Sequence, residues 1–203
     1  MNGYSPMARR SSEDKKERIL DAATVEIARH GYHQTTVAVI ARRAGVADGT
    51  IYLYFKNKEE ILVSLFERAL GRFIAKGQEQ LEGMTGAADK LRAIVDLHLT
   101  LVGQDRDLAI ITQVELRHSL HFLEELSRAQ VGGYLAIIAQ VIAEGVASGQ
   151  FRADLDPVLA GKAVFGVLDE MATDWVLSRR NTRLEAKAPE VTELVLGMVA
   201  SGG

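Results

Sequence analysis

Along most of this chain apolar residues recur every three to four positions, the step of an α-helix, and the runs break at glycines and short polar clusters. From about Ser12 to His30, Ile19, Leu20, Ala23, Ile27 and Ala28 share one face, and Gly31 stops the run. Ser11 and Asp14 are spaced as a variant capping box for that helix. Between Thr36 and Phe55 the pattern tightens. Ile40, Ala44, Val46, Ile51 and Tyr54 predict two short helices packed across each other, with small Ala41 at the crossing and Gly45 at the turn. Thr36 suits the N-cap of the first, because its hydroxyl can accept an orphan backbone N–H. Gly45 admits the positive φ that ends it. The second presents Gly49, Thr50, Tyr52 and Lys56 outward, all small, hydroxylated or basic.

Asn57 and Glu60 read as the cap of a long helix from Lys58 to about Glu82. Its stripe of Ile61, Leu62, Leu65, Phe66, Ala69, Leu70 and Phe73 is too broad for one neighbour. It predicts a rod with a small N-terminal unit at one end and a larger body at the other. Gly83–Lys90 is the clearest break. Further helices are expected over about Ala88–Val102, Leu108–Leu116 (after a loop at Gly103–Asp107), Phe122–Ser148, Val158–Leu177 and Glu190–Val199. No segment carries the two-residue period of a strand. The expected fold is all-α.

Composition narrows the class. Hydrophobic residues make up 47% of the 203, yet no run approaches the roughly 18 apolar residues of a membrane span. The absence of cysteine excludes disulfides and thiolate metal sites. The N-terminal sixteen residues lack the apolar core of a signal peptide, so a cytoplasmic protein is expected. The net charge of −3 hides an asymmetry. Residues 1–58 carry 10 Lys and Arg against 6 Asp and Glu, whereas residues 59–203 carry 14 against 21. A basic N-terminal quarter on an acidic body is a local footprint for phosphate, and second helices of such pairs lie in the DNA major groove.

The residues Gly45–Leu62, GVADGTIYLYFKNKEEIL, preceded by RILDAA at Arg18–Ala23, resemble the signature of the TetR family of transcriptional repressors. The family often has Ser where this chain has Ala47, and Asp48 is acidic beside it. The resemblance implies three parts: a disordered arm at 1–11, a helix-turn-helix DNA-binding domain at 12–57, and a ligand-binding and dimerisation domain at 58–203. It implies contacts to a palindromic double-stranded operator from Thr36, Val37, Ala47, Gly49, Thr50, Tyr52, Tyr54 and Lys58. Lys58 also has a physical reason to be there, since it stands at a helix N-terminus with free backbone N–H groups. Arg9 and Arg10 belong either to a minor-groove arm or to a solvated tail.

Phe151–Trp175 resembles the family's ligand domains, in which the last two long helices pair with a second subunit as a four-helix bundle. Val158, Leu159, Val164, Val167, Leu168, Met171, Leu194, Leu196 and Met198 suit such a homodimer seam, with Gly161 and Gly166 permitting close approach. GYHQ at Gly31, Leu108–Leu123, Tyr134–Gln150 and Phe165–Val176 resemble the acyl-CoA-responsive subgroup, the FadR-type repressors of fatty-acid degradation. That implies long-chain acyl-CoA as the effector, with no cofactor. An acyl chain needs a long apolar tunnel, which Leu97, Leu101, Ile110, Ile111, Val114, Phe165 and Leu168 can line. The CoA phosphates need cations, for which Arg106, Arg117, Arg128 and Arg152 are the candidates.

Two rivals remain. A TetR-type repressor of drug efflux would sense hydrophobic cations with acids and aromatics, for which Glu115, Asp169, Glu170 and Trp175 are available; aromatics total only 6% of the chain. A helical-bundle metal enzyme would use Glu115 and His118, with His121 nearby, but it needs a second Glu-x-x-His, which this chain lacks. An enzyme is not expected.

Overall fold

The computed structural model describes residues 6–115, 131–178 and 182–201, and these form helices joined by short turns. The first three, α1 (Pro6–His30), α2 (Val37–Ala44) and α3 (Asp48–Ile51), build a small head. Next comes the rod, α4 (Lys58–Leu81). The body follows with α5 (Ala87–Gln104), α6 (Arg106–Ile110), a π turn at Ile111–Glu115, α7 (Gly132–Ala147), α8 (Pro157–Leu177), a 3-10 turn at Leu184–Lys187 and α9 (Ala188–Val199). Among the described residues no strand forms, and Phe151 and Ala200 meet in one isolated bridge.

Local chemistry explains the boundaries. Thr36 Oγ1 accepts from the Val39 N–H at 3.3 Å, and Gly45 closes α2 at φ 66°. Asn57 Oδ1 accepts from the Glu60 N–H at 2.8 Å, while the Glu60 carboxylate reaches back to the Lys56 N–H at 2.6 Å. Asp156 accepts from Val158 and Leu159, and Pro157 supplies the pre-set φ of a first helical residue. The chain is already helical at Pro6, the first described residue, so residues 6–11 of the expected arm are helical and the Ser11–Asp14 box lies inside α1. Gly103 and Gln104 belong to α5, because Asp105 caps α6 at the Leu108 N–H and leaves no room for the expected loop.

Two apolar cores share the rod. The head core gathers Ile19, Ile27, Ile40, Ile51 and Phe55 with Ile61, Leu62 and Leu65 of α4. The body core runs from Leu91 and Leu99 through Ile138, Val164, Leu168 and Val195, and Leu70, Phe73 and Ile74 of α4 pack against it. Arg68 braces the head end of the rod, donating to Glu17 at 2.9 Å and to Asp21 at 2.8 Å on α1. One body residue breaks the division: Ile111 of the π turn is fully buried in the head core.

The seam expected between subunits is partly spent inside the chain. Val164 and Leu168 are fully buried in the body core. At Gly161 a Cβ would sit 3.2 Å from the Ala139 backbone nitrogen, so its missing side chain lets α8 approach α7. Val158, Leu159, Leu177 and Leu194 are the large apolar side chains that α8 and α9 leave exposed, and Gly166 and Gly197 face open space.

Candidate functional site

The head offers a reading surface. The α1–α2 loop is tied down by Thr35, whose buried hydroxyl donates to the Gly31 and Glu26 carbonyls. On the other side, Arg18 bonds the Ala44 carbonyl and Arg43 pairs with Glu26. From this frame Thr36, Ala47, Gly49 and Tyr52 are exposed, and Thr50 is half-buried. Val37 and Tyr54 turn partly into the head core, the Tyr54 hydroxyl lying 3.4 Å from Ser12 Oγ. Lys58 Nζ is engaged within the chain: it donates to the carbonyls of Tyr32 (2.7 Å) and Thr35 (2.9 Å) and stands 4.2 Å above the Tyr32 ring. Burial lowers its pKa. It therefore fastens the rod to the loop that presents Thr36. Leu53, 80% exposed beside Tyr52, adds an apolar side chain to this surface that the TetR resemblance does not include.

The body encloses a cavity of about 90 Å³. From α4 it takes Phe66, Ala69, Leu70 and Phe73; from α5, His98 and Val102; from the π turn, Thr112 and Gln113. Val131, Tyr134 of α7, and Phe165 and Asp169 of α8 complete the described wall. His98 sits among three aromatic rings on three other helices, its centroid 5.2 Å from Phe73, 5.8 Å from Tyr134 and 6.3 Å from Phe165. Its Nδ1 lies 3.0 Å from the Tyr134 hydroxyl, and its buried Nε2 makes no hydrogen bond among the described residues. Burial pushes the imidazole pKa down to about 4 and raises that of the Tyr134 phenol, so both groups are neutral near pH 7.

Of the predicted tunnel residues Phe165 alone lines this cavity, and the misses share a geometric cause. On α5 the wall is His98 and Val102, one position on from Leu97 and Leu101, which is about 100° around the helix. Leu97 instead packs near Gly77 of α4. On α8 the wall is Phe165 and Asp169, while the adjacent Leu168 points into the body core. Where α6 passes into the π turn the side chains divide three ways: Ile110 and Val114 pack against the body core, Ile111 is buried in the head core, and Thr112 and Gln113 reach the cavity. His98 and Tyr134 were missed too, although each is a polar-tipped ring in an otherwise apolar helical run.

The cations divide similarly. Arg106 donates to the carbonyls of Val176 (3.0 Å) and Ser178 (2.9 Å) at the end of α8 and stacks 4.7 Å over Trp175. It closes a helix rather than lining the cavity. Arg152 is exposed with Asp154 at 3.6 Å. Arg117 and Arg128 lie outside the described residues, as do His118 and His121.

Residues 19–65 match the family profile for bacterial regulatory proteins of the tetR family, and residues 66–198 match that for the C-terminal region of YsiA-like protein. The chain is 43% identical over 182 residues to the fatty acid metabolism regulator protein of Bacillus subtilis strain 168, covering 90% of this chain and 94% of that one. The chain belongs to the TetR family of transcriptional regulators. Among solved structures of this family, the fatty acid degradation regulator FadR of Bacillus halodurans superposes with a TM-score of 0.86 at 41% identity, covering 97% of each chain. FadR of Bacillus subtilis in complex with stearoyl-CoA gives 0.84 at 42% identity, over 89% of this chain and 97% of that one. The helix-turn-helix head and helical body of this TetR-family chain are those of the FadR structures, and its relatives are regulators of transcription.

Proposed function

We propose that this regulator is a cytoplasmic homodimer that represses genes of fatty-acid degradation and leaves its operator when a long-chain acyl-CoA occupies the body. The observation that carries the coupling is the π turn. Thr112 and Gln113 form cavity wall while Ile111, the next residue back, is fully buried in the head core. The rod repeats the arrangement, with Leu65 in the head core and Phe66 in the cavity wall. At about 90 Å³ the cavity is smaller than the roughly 300–1,000 Å³ of drug-sized sites, so a long effector has to part these walls. Parting them moves Ile111 and α4 against the head and changes the separation of the two heads in the dimer. Moving such a switch from 99:1 to 1:99 requires about 5.5 kcal/mol of differential binding.

Two heads suit two half-sites about one DNA turn, or a multiple, apart. Exposed Val158, Leu159, Leu177 and Leu194 supply an apolar face for the subunit seam. Thr36, Ala47, Gly49, Thr50 and Tyr52 form the base- and phosphate-facing surface, with Val37, Tyr54 and Lys58 supporting it. The functional boundary of the head falls within α4, after Leu65, instead of at Lys58. Aromatic rings and Asp169 in the wall are what the efflux rival would use, but the relatives at more than 40% identity regulate fatty-acid metabolism. The test is a gel shift of a palindrome from the gene's own upstream region at fixed salt, titrated with lauroyl- to stearoyl-CoA, free CoA and free fatty acid. Release by acyl-CoA alone supports the reading; binding without release by any of them defeats it.

A further inference from the structure

Five aromatic rings from four helices line the cavity, and one carries a buried polar atom with nothing to bond among the described residues, His98 Nε2. Its tautomer follows from counting hydrogens. If Tyr134 donates its O–H to His98 Nδ1, the phenol is satisfied and the single group left over is an Nε2–H donor. If Nδ1 carries the hydrogen instead, both the phenol O–H and the Nε2 lone pair are left without a partner among the described residues. The first arrangement orphans one group and the second orphans two, so Tyr134 donates and Nε2 bears hydrogen. An orphaned donor in an apolar cavity retains the cost of its lost hydration until an acceptor arrives. The methyl end of an acyl chain would leave that cost standing. A carbonyl oxygen would remove it.

We propose that His98 Nε2–H, its tautomer set by Tyr134, is the hydrogen-bond donor for the thioester carbonyl oxygen of the bound acyl-CoA. This rests on the acyl-CoA reading above and adds the atom that distinguishes an acyl from an alkyl chain. Because burial holds the imidazole neutral, the donor suits a neutral carbonyl. His98 touches Phe73 of the rod, so the anchored carbonyl lies against the helix that enters the head core.

The experiment compares stearoyl-CoA with S-octadecyl-CoA, the thioether that lacks the carbonyl oxygen, by calorimetric titration of the full-length protein. The expected preference for the thioester is about tenfold in Kd, the worth of one hydrogen bond. In His98→Leu it falls below about twofold, through weaker stearoyl-CoA binding with S-octadecyl-CoA unchanged. Tyr134→Phe, which keeps the ring and frees the tautomer, gives an intermediate preference and guards against misfolding of the first variant. A tenfold preference that survives in His98→Leu overturns the assignment, as does equal binding of the two compounds by the wild-type protein. If neither binds the wild-type protein, the acyl-CoA reading itself fails and the assignment goes with it.

Discussion

At the scale of single residues, His98 makes stability depend on pH. Its folded pKa of about 4 lies below the ordinary 6.5, so between those values the unfolded chain binds more protons than the folded one. Stability from this group is complete above about pH 6.5 and is lost as pH falls towards 4, amounting to about 3 kcal/mol at 1.36 kcal/mol per unit. Urea midpoints at pH 7, 5.5 and 4.5 should therefore decline more steeply for the wild-type protein than for His98→Leu; parallel curves would show that His98 does not titrate as described. Gly45 is the second sensitive point. At φ 66° any side chain is strained, and a Cβ there would also meet the Arg18 guanidinium at 3.1 Å. Gly45→Ala should cost about 1–2 kcal/mol in urea unfolding, close to the penalty of a left-handed L-residue.

Among elements, the π turn carries the clearest prediction. Ile111→Ala removes apolar volume from the head core at a residue that also borders the cavity wall. It should destabilise the protein by about 2–5 kcal/mol, and in surviving dimers acyl-CoA should release DNA less completely although it still binds. Gel shift and calorimetry on one preparation separate these effects. The proposed subunit seam gives another test. Leu159→Glu with Leu194→Glu places charge on side chains that are 67% and 58% exposed, so each chain should still fold. Sedimentation should show monomers with at least tenfold weaker operator binding. The elements were also where reading the sequence succeeded and failed. Caps are local chemistry, so Thr36, Gly45 and Asn57 could be placed from residue types alone. The cavity wall was not legible to the same degree, because Leu97 and His98 differ by one helical step and both fit an amphipathic pattern. A π turn leaves no signature in Ile111–Glu115 that distinguishes it from an α-helix. The N-terminus differs for another reason: its polar residues fit a disordered arm, yet the chain is helical from Pro6 on.

For the whole molecule, the basic head and acidic body should give operator binding a strong salt dependence. A dimer neutralising on the order of 6–10 phosphates should lose roughly 10³–10⁵ in affinity between about 50 and 200 mM salt. Effector binding by the isolated protein should change far less over that range wherever apolar burial dominates. The two slopes, measured by fluorescence anisotropy and calorimetry, distinguish a phosphate-reading head from general stickiness.

The sharing of α4 and Ile111 between cores bears on how such regulators can be recombined. A fragment ending at Lys58 would lack Ile61, Leu62, Leu65 and Ile111, and would expose the apolar faces those side chains cover. A reading head transplanted onto a foreign sensor therefore has to travel with the first two turns of the rod. It also has to find, on its new host, a side chain of the size and placement of Ile111. Chimeras joined after Leu65 and matched at that one site should respond to the host's effector; chimeras joined at the motif boundary should aggregate.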